Sequence, residues 1–333
     1  MTKLRQLRVS STDVRFTAGM GLAKFHHLAI FAWFTQAMIV VTGAAVRLTS
    51  SGLGCENWPT CTEDRITPEL SLHGWIEFGN RMLSAPVAGT AALALVGALR
   101  LQPRHSGMVA AAWGLVAGVI AQILIGMFVV RLELTPVSVV AHFMVSIVLV
   151  WLAVYLVVKS APTNQQVGET AHRKGVWPLP LDQKVVVAPA TVALTRLTLG
   201  LSLAVITIGT LVTASGPHGG DTRADRLDLE LHRVIQFHSV SAWLLLAASI
   251  AVAWQLRKGP RHHTRYATAL LLALVGQGAV GYLQFAFGVP AGIVLVHIVG
   301  VLILWTVVSS LNLMVEKPAA DVINDKNPDT IER

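Results

Sequence analysis

The sequence predicts an all-α polytopic membrane protein in which eight transmembrane helices form two pseudo-symmetric four-helix bundles. Of its 333 residues, 53% are hydrophobic and only 13% are charged, and the mean hydropathy is +0.60. These values exclude an ordinary soluble domain. Eight apolar stretches approach the roughly 20 residues that a helix needs to cross a bilayer. Related motifs in the two halves of the chain predict that the helices form two similar bundles.

The predicted spans follow from the apolar stretches, taken in order along the chain. They lie at 26–48, 72–99, 107–130, 136–158, 192–214, 232–256, 265–287 and 290–312. Lysine and arginine concentrate in the amino-terminal tail and in the connections after the second, fourth and sixth spans. The positive-inside rule therefore predicts that both termini are cytoplasmic and that the loops at 49–71 and 215–231 are external. We attribute the net charge of +8 to this topology and not to nucleic-acid binding.

A polar segment that contains several prolines divides the chain. We predict an N-terminal four-helix half at 1–160, a cytoplasmic linker at 161–191, a C-terminal four-helix half at 192–315 and a cytoplasmic polar tail at 316–333. Recurring residues support the division; the pairs are His73 and His232, Gln122 and Gln277, Gly126 and Gly281, and His142 and His297. Because each half has an even number of spans, the pseudo-symmetry axis is expected along the membrane normal.

The stretch LSLHGWIEFGNR opens the second span with four polar residues. His73, Glu77, Asn80 and Arg81 fall on one face at helical spacing. Polar and ionisable side chains are costly inside a membrane, so this face is expected to point into the bundle.

Four of the 12 histidines lie near the external ends of the even-numbered spans. His142 and His297 are about six residues inside, a depth of roughly 9 Å at the helical rise, and His73 and His238 enter from the same side. A lone membrane histidine usually bonds a neighbouring helix. Four membrane histidines in two related pairs instead favour axial ligation of heme iron between facing helices. Zinc is disfavoured because the chain has no HxxxH or CxxC pair.

Two histidines compete for one position in the second half. His232 is the repeat equivalent of His73, whereas His238 lies six residues further on, about 120° around the helix. We favour His238 as the iron ligand with His297, since His232 is only just inside the membrane and is suited to propionates or to the loop.

The only cysteines, Cys55 and Cys61, stand in the same predicted external loop. An oxidising compartment permits a disulfide there, which would act as a clip that shapes the loop over the first bundle.

The stretches VTGAAVRLTSSGLGCENWPTC, WIEFGNR, ASGPHGGD and QFH together resemble heme A synthase of the bacterial type, a family of cytochrome oxidase assembly. The resemblance implies an enzyme of a bacterial plasma membrane, with its active-site face external, that oxidises the C8 methyl of heme O to a formyl group, giving heme A for terminal oxidases. It further implies a heme b cofactor between His238 and His297. The substrate heme would then lie in the first half with His142.

One position departs from the family pattern. Glu77 matches the family's acidic residue, but Asn80 stands where a histidine ligand is expected, which leaves His73 as an alternative ligand. The resemblance also adds a redox role for Cys55 and Cys61 beside the structural one.

The chemistry assigns roles to four charged residues. Glu77 is the candidate catalytic residue, for proton transfer or for stabilising positive charge at the methyl carbon; pairing with Arg81 is an equally weighted alternative. Arg47 and Arg81 suit heme propionates by charge and fork geometry, and Arg131 is a weaker third choice.

Two other protein classes compete with the enzyme. A diheme b-type electron-transfer subunit would place hemes near both membrane faces, whereas the candidate ligands gather at one, and a heme transporter would bind cargo without oxidising it. The expected partners of the enzyme are heme O, membrane lipid and an electron acceptor of open identity. Transfer from heme O synthase and homo-oligomerisation also stay open.

Overall fold

The computed structural model describes residues 19–161 and 187–315. The predicted tail at 316–333 and all but the ends of the predicted linker at 161–191 lie outside the described residues. Within the described ranges the chain forms nine α-helices, and its only β feature is an isolated bridge between Met20 and Leu101. The helices are α1 Leu22–Leu48, α2 Leu72–Met82, α3 Ser84–Arg100, α4 Ser106–Arg131, α5 Pro136–Ser160, α6 Pro189–Ser215, α7 Leu231–Leu256, α8 Arg261–Ala286 and α9 Ala291–Met314.

Eight membrane spans result, because α2 and α3 continue one another as a single apolar unit from Leu72 to Arg100. The two helices meet at Leu83, three residues before Pro86. A proline lacks the amide hydrogen of the helical ladder, which accounts for the interruption one turn earlier. The predicted all-α, eight-span fold is confirmed, and each span begins within four residues of its predicted start.

The first five helices pack through small side chains. α1, α3, α4 and α5 contact one another in a ring, and the buried positions of this core include Ala29, Ala94, Ala112 and Ala153. Small residues let helix backbones approach closely, which is the main route to packing inside a bilayer, where lipid is as apolar as the core.

The last four helices form a second ring, since α7 contacts α6 and α8, and α9 contacts α8 and α6. The two rings join where α1 and α5 pack against α9, and α5 also against α6. At this seam the indole Nε1 of Trp305 donates to Ile147 O over 2.9 Å, and that of Trp33 donates to Thr306 Oγ1 over 3.2 Å. A symmetry relation between the two rings stays a prediction.

The connections after α1, α4, α6 and α8 gather at one end of the molecule, which we call the disulfide face. Gly52 N donates to Gly220 O over 2.8 Å, and Leu53, Leu134 and Ala224 form a small buried cluster beside them. Gly220 has φ of 104°, a conformation that favours glycine. The other helix ends, including the starts of α1, α4 and α8, form the opposite face.

Candidate functional site

Four side chains occupy matching positions below the disulfide face. Each lies between the seventh and the ninth residue of its helix, counted from that face. Each also lies against a glycine of the preceding span, where a Cβ atom would approach it to between 3.0 and 3.8 Å. The pairs are Asn80 with Gly43, His142 with Gly126, His238 with Gly209, and His297 with Gly281. We call Asn80, His142, His238 and His297 the four site positions.

The helices that carry these residues stand diagonally across their rings. Among the described residues, α7 and α9 share no direct contact, and each packs instead on α6 and α8. In the first ring, the span formed by α2 and α3 is likewise separated from α5 by α1 and α4. Diagonal helices leave the ring interior between them, which is the arrangement that a planar group held from both sides requires.

His238 has the hydrogen-bond partner expected of a metal-ligating imidazole. Its Nδ1 lies 3.1 Å from Val205 O, so this nitrogen donates and Nε2 keeps its lone pair. Metal-bound histidines usually donate their other ring nitrogen to such a carbonyl, which sets the tautomer. His232 is exposed near the start of α7, where its Nε2 lies 3.0 Å from Gln236 Nε2. His232 thus lies near the start of α7, outside the four site positions.

His142 and His297 each have a buried Nδ1 atom without a hydrogen-bond partner in the described part of the chain. Buried polar atoms are usually paired, so an orphaned imidazole nitrogen at two related positions needs an explanation. The amide oxygens of Gln122 and Gln277 are orphaned too, while Gln122 Nε2 donates to His142 O over 2.9 Å. These polar atoms inside apolar rings fit a site that holds a further group.

Asn80 differs from the three histidines. Its Oδ1 accepts a hydrogen bond of 2.7 Å from Thr42 Oγ1, and its Nδ2 faces Gly43. His73 lies seven residues earlier, at the second position of α2, where it is exposed and its Nδ1 is 2.9 Å from Ser51 Oγ. The structure therefore places Asn80, and not His73, at the depth of the three histidines.

Glu77 and Arg81 hold the disulfide loop. Glu77 is only 5% exposed; its Oε2 accepts from Cys55 N over 2.6 Å, and its Oε1 pairs with the Arg81 guanidinium. Arg81 in turn donates to Cys55 O over 2.9 Å and to Asn57 O over 2.7 Å. A buried ion pair must be supported by further hydrogen bonds to offset its desolvation, and here the loop backbone provides them.

Cys55 and Cys61 are buried and form the predicted disulfide. Its loop rests on α2, since Gly54 lies against the backbone of His73 and Gly74. The disulfide, Glu77 and Asn80 therefore belong to one continuous region at the entrance of the first ring.

Arg47 connects the two rings at the disulfide face. Its Nε donates to His218 O over 2.6 Å and its Nη2 to Thr213 O over 3.0 Å. His218 Nε2 lies 2.8 Å from Val289 O, which extends the connection to the turn before α9. The sequence prediction did not anticipate these partners, because they come from residues more than 160 positions away along the chain.

Gly43, Gly209 and Thr42 were missed by sequence reasoning, which singled out Gly126 and Gly281 only as recurring residues. Gly43 and Gly209 each lie about six residues before the end of their helix. A small residue recurring in the first and fifth spans, at the depth of the histidines, was the available signal.

Taken together, the spans and the four site positions define a multi-pass helical membrane protein with polar side chains gathered near one face. The chain belongs to the COX15-CtaA family of cytochrome oxidase assembly proteins, whose sequence pattern matches residues 26–309. This confirms the family resemblance found in the motifs.

Two proteins with similar sequences are each named heme A synthase. The chain is 30% identical over 154 residues to the heme A synthase of Geobacillus thermodenitrificans, and this alignment covers 46% of this chain and 47% of the relative. It is 31% identical over 145 residues to that of Geobacillus kaustophilus strain HTA426, covering 42% and 44%. The chain thus spans about half the length of the curated relatives it matches.

Proposed function

We propose that this protein is a heme A synthase, a membrane oxidoreductase that oxidises the C8 methyl group of heme O to a formyl group. Family membership and the two relatives support this role. The observation that carries it is the composition of the four site positions, with two histidines in one ring and a histidine and an asparagine in the other. An electron-transfer protein with two equivalent hemes has no need of this asymmetry.

The second ring is our candidate for the cofactor, a heme b held by His238 and His297. Their helices stand diagonally, His238 has a fixed tautomer, and His297 has an unpartnered buried nitrogen. A heme b bound there would supply one-electron oxidation and reduction.

The first ring is our candidate for the substrate site. His142 would hold the iron of heme O from α5, while Asn80 is engaged by Thr42 and offers an amide, which is not a common heme ligand. His73 is left to the entrance, where its imidazole can meet the propionate edge of the substrate. The substrate iron would thus have a single protein ligand, in contrast with the cofactor iron.

Glu77 is our candidate for accepting a proton released at the methyl carbon. Converting a methyl group to a formyl group with oxygen from water removes electrons and protons in equal number, so a proton acceptor must lie close by. Glu77 shares a helix face with Asn80, and its carboxylate is held in place by Arg81 and by Cys55 N. Arg81 is then a positioning residue for Glu77 and the disulfide loop.

We further infer that the disulfide face is external in a bacterial plasma membrane and that both termini are cytoplasmic. Arginine and lysine at the opposite face support this orientation; they are Arg100, Arg104, Arg257, Lys258 and Arg261. The disulfide also fits the oxidising side of the membrane.

Pigment analysis tests the proposed function. The full chain is produced in cells that make heme O and lack another heme A synthase, and the extracted hemes are separated by chromatography. Heme A is the expected product. If folded, heme-loaded protein leaves heme O unchanged, the enzyme proposal fails, and an electron-transfer or transport role takes its place.

Spectroscopy of the purified protein tests the two sites separately. Reduced-minus-oxidised spectra and electron paramagnetic resonance should show a low-spin heme with two histidine ligands in protein without substrate. Loading with heme O should add a high-spin signal. His238→Ala should remove the low-spin signal, whereas an unchanged spectrum would contradict His238 as a ligand.

A further inference from the structure

A pocket of about 560 Å³ lies at the opposite face, on the far side of the molecule from the four site positions. It is formed by the end of α7, the turn after it and the first three turns of α8. Its polar lining consists of Arg257, Arg261 and Arg265 with the hydroxyls of Thr264 and Thr268. None of these residues lies at either proposed heme site.

The lining changes character along α8. Arg261 and Arg265 are one turn apart, Thr268 follows, and Leu272 continues the same helix face toward the middle of the span. Leu272 is 69% exposed, on a span whose surface faces the bilayer. The order is therefore charge at the helix end, a hydroxyl one turn deeper, and an apolar surface below it. A phospholipid has the same order of phosphate, glycerol ester and acyl chain.

The arginines of this pocket have no anionic partner in the described part of the chain. The sequence contains no aspartate or glutamate between Glu230 and Glu316. Arg257 donates to Trp254 O over 2.7 Å and its guanidinium lies 3.5 Å from the centre of the Trp254 ring, so this side chain is held in place without being neutralised. Cationic side chains gathered beside a cavity favour a ligand that brings negative charge.

We propose that this pocket binds the phosphate headgroup of an anionic phospholipid, with an acyl chain along Leu272. Arginine clusters at the ends of transmembrane helices attract anionic headgroups, and the guanidinium fork matches a phosphate. Free phosphate shares the headgroup chemistry, but it would not use the apolar surface that continues from Thr268 to Leu272. The proposal is independent of the proposed catalytic function.

Native mass spectrometry of the detergent-solubilised full chain tests this proposal. The protein is titrated with phosphatidylglycerol and, separately, with phosphatidylcholine of the same acyl chains. We expect one phosphatidylglycerol to bind preferentially. In Arg261→Gln/Arg265→Gln the affinity for phosphatidylglycerol should fall about 25-fold, since each basic residue near a membrane surface contributes about fivefold.

The matched control is Arg100→Gln/Arg104→Gln, which removes the same charge from exposed arginines at the same face but outside the pocket. It should retain the preference. An equal loss in both double variants would assign the effect to general surface charge and overturn the proposal.

Two further arms separate the remaining explanations. Arg261→Lys/Arg265→Lys keeps the charge and loses the guanidinium fork, so it should bind phosphatidylglycerol more tightly than the glutamine variant and less tightly than the unchanged chain. Unchanged thermal unfolding of the glutamine variant shows that its loss of binding is not misfolding. Inorganic phosphate at matched concentration should not displace the lipid. If phosphate binds and neither lipid is preferred, the pocket is a phosphate site and the lipid proposal is wrong.

Discussion

Asn80 and His238 lie against a glycine at nearly the same depth in their helices, yet their side chains are held differently. Thr42 donates to the Asn80 carbonyl, whereas His238 Nδ1 bonds Val205 O and leaves Nε2 available. At the scale of single residues, this difference is what separates a candidate substrate site from a candidate cofactor site. It also makes the assignment testable by substitution.

Asn80→His should convert the first ring to two-histidine ligation. Gly43 provides room beside this position, as Gly209 does beside His238. In protein loaded with heme O, we expect the high-spin signal in electron paramagnetic resonance to give way to a low-spin signal, and the heme A yield to fall. Asn80→Ala is the control and should stay high-spin. A heme-loaded Asn80→His protein with an unchanged spin state would show that residue 80 does not face the iron.

Gly209→Ala should weaken heme binding in the second ring. The added methyl group would stand 3.0 Å from His238 Cε1 and displace the imidazole. Because altered orientation of a ligand costs about tenfold or more in affinity, the ratio of low-spin heme to protein after purification should drop. Gly200→Ala in the same helix has nothing within 4 Å of the new methyl group and serves as the control. Equal heme content in the two variants would contradict the prediction.

At the scale of elements, α2 and the disulfide loop behave as one unit. The loop donates a backbone amide to Glu77 and accepts hydrogen bonds from Arg81, so the helix and the loop share the charge pair. The disulfide between Cys55 and Cys61 closes the same loop. The position of Glu77 beside Asn80 therefore depends on the loop as much as on the helix.

Arg81→Ala should strongly destabilise this unit. It leaves the buried Glu77 carboxylate without its cation, which costs about 3 to 5 kcal/mol for a buried pair. The measurement is thermal unfolding in detergent together with hydrogen exchange of the disulfide loop. Arg233→Ala removes an exposed pair with Glu230 and should cost less than about 1 kcal/mol. Similar losses in the two variants would argue against a buried, loop-supporting pair.

At the scale of the whole molecule, the two rings meet along α5 and α9 and again at the disulfide face. Arg47 of α1 bonds the main chain of the α6 end and of the following loop, and His218 of that loop reaches the turn before α9. The proposed substrate ring is thus tied to the loop above the proposed cofactor ring. This tie competes with the prediction that Arg47 binds propionates.

Arg47→Gln distinguishes the two roles. A charged hydrogen bond contributes about 1.5 to 3 kcal/mol, so loss of the structural contacts should speed hydrogen exchange at residues 213–220 without lowering heme content. Exposed Arg131→Gln at the end of α4 is the control and should leave exchange there unchanged. Lower heme content with unchanged exchange would instead favour the propionate role.

The amino-acid sequence alone predicts the membrane fold, the eight spans, the disulfide pair and the candidate residues His142, His238 and His297. Hydropathy suffices for the spans because a membrane span must satisfy its backbone internally, which leaves the helix as the local solution. The histidines stand out by their depth within the spans, and the two cysteines by sharing one external loop. The packing of the helices shows that Asn80, and not His73, reaches the depth of the histidines. It also shows that Cys55 N joins Arg81 in holding Glu77, and that Arg47 bonds the opposite ring. These outcomes depend on how helices rotate against one another and how loops close, since Cys55 and Glu77 are 22 residues apart and Arg47 and His218 are 171 apart.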